Sequence, residues 1–137
     1  MKSEDEGFME VEHTADWALL IWALDLSGLF VQAALGMNKL TDIRLDILQR
    51  ETREITLTAP DMETLLVTFL EELLFYSETD GMGFDQFTLE VKGNRLFAVL
   101  IGSPILSRKK EIKAVTFHNL SIQNKNNKYQ TEIVFDV

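Results

Sequence analysis

Apolar positions recur at helical spacing in two stretches of the chain. In the first, Leu26, Leu29, Phe30, Ala33, Ala34, Met37 and Leu40 fall at i, i+3, i+4, i+7, i+8, i+11 and i+14. That spacing draws one apolar face on a helix. Asp25 stands where an N-cap belongs, and a carboxylate there accepts an otherwise unpaired backbone N–H, an effect worth ~1 kcal/mol. The pattern runs out near Thr41–Asp42. The second face is Met62, Leu65, Leu66, Phe69, Leu70, Leu73 and Tyr76, opened by Asp61 directly after Pro60. The helices open alike (Asp-Leu-Ser-Gly-Leu-Phe-Val and Asp-Met-Glu-Thr-Leu-Leu-Val), each after a strand. That likeness is too short to establish a duplication.

Elsewhere the patterning is that of strands. Gly7–Glu12 and Trp17–Leu24 flank the polar tetrapeptide His13-Thr14-Ala15-Asp16, and the second of them is nearly continuous in its hydrophobicity, as a strand covered on both faces would be. Glu54–Ala59 alternates and is stopped by Pro60. From Phe84 the period becomes two, with Phe87, Leu89 and Val91 alternating with Thr88, Glu90 and Lys92. Gly93-Asn94 then supplies a hairpin turn. The return strand is Arg95–Ile101, which Gly102-Ser103-Pro104 is expected to end. A loop, Ile105–Lys110, leads to a long strand over Glu111–Gln123. After a turn at Asn124–Asn127, Lys128–Val137 forms the last strand. The expected architecture is α+β, two amphipathic helices packed on a mostly antiparallel sheet of roughly six to seven strands. A single domain over 1–137 is expected, with residues 1–6 as a frayed lead-in.

Composition narrows the function. The chain has 137 residues, 46% apolar, and no cysteine. Neither a disulfide framework nor a thiolate metal site is available to it. The opening MKSEDEG has no apolar run after its charges, so no signal peptide is expected. No stretch approaches the ~20 apolar residues of a spanning helix. A cytoplasmic protein without membrane association is the expectation. The net charge is −9, from 22 acidic and 13 basic residues. Such a balance repels phosphate backbones, so direct nucleic-acid binding is not expected. Arg108-Lys109-Lys110 reads as a solvated loop.

Self-sufficient catalysis has little support. Only His13 and His118 offer imidazoles, and His118 sits in what reads as mid-strand. No nucleophile elbow, phosphate-cradling glycine loop or His-Glu-x-x-His is present. Carboxylates are more promising: Asp16 closes the first loop, Asp42 follows the first helix, Asp80 the second, and Asp136 precedes Val137 with its α-carboxylate. If Asp16, Asp136 and that α-carboxylate met, two of them ~4 Å apart would repel by roughly 4 kcal/mol at an effective dielectric of about 20. They would then need a cation, or one would protonate. Oxygen ligands select hard ions such as Ca²⁺ or Mg²⁺. Spacing alone leaves open whether these acids cluster or are separately solvated.

Taken together, the motifs resemble the archease family. The matching pieces are Glu12-His13-Thr14-Ala15-Asp16, Leu29-Phe30-x-x-Ala33-Ala34, Leu40-Thr41-Asp42, Leu65-Leu66 to Glu72-Leu73-Leu74, Lys113-Ala114-Val115-Thr116-Phe117-His118 and Phe135-Asp136-Val137. They span nearly the whole chain in the family's order. The resemblance implies a metal-binding accessory protein, not an enzyme, that promotes guanylylation and multiple turnover of an RtcB-type RNA ligase in tRNA splicing or RNA repair. It implies metal ligands at Asp16, Asp136 and Val137, with His13 and Asp42 supporting, and a hard divalent cation, Ca²⁺ first, Mg²⁺ or Mn²⁺ as alternatives. Two other functions compete: a metal-dependent hydrolase or phosphotransferase on the same carboxylates, and a chaperone-like modulator of tRNA-modifying enzymes. The chain departs from the family at Phe69 and Glu71, where Trp and Asn are frequent. Its Pro104–Lys110 loop is short and lacks the frequent His-Pro.

Overall fold

The computed structural model describes residues 4–11 and 17–137. In chain order its elements are β1 (Gly7–Val11), β2 (Trp17–Ala23), α1 (Leu26–Thr41), β3 (Arg44–Leu45) and β4 (Glu51–Thr58). There follow α2 (Met62–Asp80), β5 (Met82–Lys92), β6 (Arg95–Ser107), β7 (Ala114–Val115), β8 (Gln123–Lys125) and β9 (Lys128–Asp136). Both helices start as their sequences require. The Asp25 carboxylate accepts the Gly28 N–H at 2.6 Å, and the Asp61 carboxylate accepts the Thr64 N–H at 2.7 Å. That second bond holds the Asp61 carboxyl below the usual carboxylate range. α2 stops at Gly81, in the left-handed region with φ 64°. α1 stops at Asp42, which takes the same conformation with φ 49°.

The fold is α+β, with two helices and antiparallel strands. The strands divide into two sheets, a partition that periodicity alone does not reveal. One has the order β1-β2-β9-β7, with β8 also on β9; the other has β3-β6-β4, with β5 also on β6. α1 touches β1, β2 and β5, and α2 touches β4, β5, β6 and β7, so the helices fill the space shared by the sheets. Phe30 and Phe69, both fully buried, stack there with ring centroids 6.0 Å apart, and Phe87 meets the Phe69 edge at 6.4 Å.

Two expected boundaries are corrected. β6 does not end at Gly102-Ser103-Pro104 but runs on to Ser107. Its partner β4 reaches Gly102, and β3 takes over at Ile105, so Pro104 lies between the two and no ladder on that side needs its missing N–H. A Cβ on Gly102 would stand 1.8 Å from the Gly83 carbonyl oxygen. Only glycine lets β5 cross so closely. The long strand over 111–123 is reduced to β7 and the start of β8. Carboxylates from α2 replace the missing ladder: Glu71 accepts the Val115 N–H at 3.0 Å and Glu63 accepts the Ile122 N–H at 2.9 Å.

Candidate functional site

The site begins with a strand pairing. β2 and β9 run antiparallel with Trp17 opposite Phe135, Ala18 opposite Val134 and Leu19 opposite Ile133. The first described residue after the HTAD loop is therefore the partner of the residue that precedes Asp136. Ala18, Leu19, Ile133, Val134 and Phe135 are all buried, and because successive strand residues point to opposite faces, this part of the β2–β9 pair is covered on both sides. Asp136 ends β9 with its side chain exposed, and its carboxylate has no hydrogen bond or ion pair to another described residue. Its backbone carbonyl accepts the Lys113 N–H at 2.8 Å. Val137 is half-buried and packs against the core. His13 and Asp16 lie outside the described residues. Among the described residues, no three histidine or acidic side chains form a group that could hold a metal ion.

The loop after β6 ties neighbouring elements to this end of the sheet. The Thr41 carbonyl, at the end of α1, accepts the Lys109 N–H at 2.9 Å, and the Asp42 carboxylate pairs with Lys109 Nζ at 3.2 Å. Lys110 Nζ stands 4.1 Å from the centre of the Trp17 ring, and Arg108 donates to the Ser77 hydroxyl of α2. The basic triplet is thus more than a solvated run; each member grips a different element. Asp42 caps a helix and holds Lys109, while Asp80 is the last residue of α2. His118 is exposed and lies in a turn, not mid-strand, with Nε2 3.3 Å from Asn119 Nδ2. Asn119 has φ 54°, which breaks the strand there.

Sequence reasoning missed Arg50. Its guanidinium bonds Asp85 at 2.5 and 3.2 Å and the buried Ser103 hydroxyl at 2.9 Å, and the Asp85 carboxylate raises its pKa. Asp85 is the unpaired residue at an irregularity in β5, between Phe84 and Gln86. No local spacing signals a bridge across 35 residues.

The model of the Archease protein family matches residues 8–137. The chain belongs to the archease family. A curated archease of Methanopyrus kandleri is 36% identical, covering 93% of this chain and 97% of the relative. Another, from Methanosarcina acetivorans, is 31% identical over the whole of both chains. Among solved structures, protein 1598 of Methanobacterium thermoautotrophicum aligns with a TM-score of 0.69 at 26% identity, covering 96% of this chain and 99% of that one. A Thermotoga maritima structure described as an archease and possible chaperone aligns at 0.71 over 93% of this chain and 94% of its own. Its 24% identity carries the fold alone. Within this archease fold the two departures on α2 have structural uses: Phe69 fills the core and Glu71 binds the β7 backbone. No helix among the described residues is long and apolar enough to cross a membrane.

Proposed function

We propose that this chain is a metal-binding accessory protein of an RtcB-type RNA ligase, acting in tRNA splicing or RNA repair in the cytoplasm. Family membership supports the class, and one observation carries the site: Trp17 pairs with Phe135. Asp16 is covalently joined to the first of these and Asp136 to the second. The donor chemistry also fits a hard cation. Asp136 offers an exposed carboxylate without a described partner, and Asp16 and the Val137 α-carboxylate would add only oxygens. His13 and Asp42 are supporting residues; Asp42 acts through Lys109 and the loop that follows.

A bound Ca²⁺, Mg²⁺ or Mn²⁺ would supply positive charge at carboxylates that otherwise repel one another. The protein's own residues fix the surroundings. The Lys113 N–H holds the end of β9, and Lys110 lies over Trp17 at the start of β2. Nucleotidyl transfer from GTP belongs to the ligase's own nucleophile. An accessory protein promotes that step by binding the competent conformation of its partner more tightly than the idle one. Direct contact with nucleic acid is not required, in keeping with the net charge of −9.

The test is ligase guanylylation by GTP with wild-type protein, Asp16→Ala and Asp136→Ala, each checked for unchanged folding. Both substitutions are expected to abolish stimulation. Full stimulation by a folded Asp136→Ala protein contradicts the proposal. GTP turnover by the isolated protein, lost in the same variant, favours the hydrolase instead.

A further inference from the structure

One face of the molecule carries both a hole and a knob. A groove of about 510 Å³ opens beside the C-terminal half of α1, with Phe8, Leu35, Ile43 and Leu45 among its walls. On its rim, the loop after β3 presents Ile47 and Leu48, which are 82% and 86% exposed. They are the two most exposed large apolar side chains among the described residues. The loop is held in place: the Asp46 N–H donates to the Pro104 carbonyl and the Leu48 N–H to the Asp46 carboxylate, both at 2.9 Å. Adjacent apolar side chains on a fastened loop mark an interaction surface more than a chance exposure does.

Charge selects the occupant. Of the ionic groups lining the groove, Arg50 is paired with Asp85 and Asp42 with Lys109. Lys39 and Arg44 have no side-chain partner among the described residues. Asp46 makes no ion pair with another described residue and stands at the base of the knob. An acidic apolar tip thus complements a groove with apolar walls and two cations on its lip that are unpaired among the described residues, and both belong to one face. That is the condition for a two-fold contact in which each copy gives and receives the same element. A membrane is a poorer fit, because a chain of net charge −9 is repelled by anionic headgroups.

We propose that the chain forms a two-fold homodimer in which Ile47 and Leu48 of one copy enter the Phe8–Leu35–Ile43–Leu45 groove of the other. Lys39 and Arg44 then meet the opposing Asp46. The surface needed is modest, because a standard interface buries about 800 Å² per partner, near a tenth of this chain's 7643 Å². The groove's lining includes the supporting Asp42 but neither Asp136 nor Val137, and the contact requires no ligase.

Sedimentation velocity across the micromolar range at physiological ionic strength tests it. Wild type is expected to approach twice 15.7 kDa with rising concentration. Ile47→Asp/Leu48→Asp, which alters only exposed side chains, is expected to stay monomeric with an unchanged far-UV spectrum and Tm. Lys39→Gln/Arg44→Gln is expected to weaken association about tenfold, or about 1.4 kcal/mol. A wild type monomeric throughout overturns the proposal, whether or not it binds phosphatidylserine vesicles. So does a dimer that survives the Ile47→Asp/Leu48→Asp change.

Discussion

Asp61 shows how one side chain sets both a helix start and a pH response. Its bond to the Thr64 N–H favours the ionised carboxylate and holds its pKa down. The cap's contribution is therefore complete above the unfolded-state value of about 3.9 and is lost as pH falls through the lower folded value. The difference in Tm between wild type and Asp61→Ala should be constant near neutrality and shrink on acidification below about pH 4. A difference independent of pH would remove the electrostatic part of this explanation. Phe69 makes the complementary case. It is fully buried between Phe30 and Phe87, so Phe69→Ala should cost about 3–5 kcal/mol in denaturant unfolding. A loss under about 1 kcal/mol would mean that the surroundings collapse into the gap.

Among the elements, the helices were legible in the sequence because their signals are local. A carboxylate before the first turn and a 3.6-residue apolar period specify each one without reference to the rest of the chain. The hairpin at Gly93-Asn94 was legible for the same reason, and Gly93 has φ 61°. What escaped depends on partners distant in sequence. The run from Glu111 to Gln123 alternates like a strand, yet Glu63 and Glu71 of α2 take the N–H groups a neighbouring strand would have used. Pro104 reads as a strand stop, but it falls where β4 has ended and β3 has not begun. Gly102→Ala is predicted to be among the most damaging small changes, because the obstructing atom is backbone and cannot rotate aside. A cost at or above the upper end of the ~1–3 kcal/mol range for overpacking is expected from thermal unfolding. A neutral effect would mean that β5 and β6 can separate without loss.

For the molecule as a whole, the useful fact is that chain positions more than a hundred residues apart are brought to one end of a sheet. The candidate acids were visible in the sequence as residue types, but the pairing of Trp17 with Phe135 was not, because strand order leaves no local trace. Nor was the role of the loop over 108–113, whose basic residues link α1, α2 and β2 to the end of β9. The family match and the register therefore contribute different things: one names the class, the other supplies a reason for two distant acids to act together. The central claim is that the start of β2 and the end of β9 share a hard cation. Terbium luminescence, excited through tryptophan, tests it most directly, because Tb³⁺ substitutes for Ca²⁺ at oxygen sites and Trp17 adjoins Asp16. The account predicts a saturable signal that Ca²⁺ displaces, weak in Asp16→Ala and in Asp136→Ala, and reduced when residues are added after Val137. Sensitised emission of equal strength and affinity in the folded Asp136→Ala protein would contradict it.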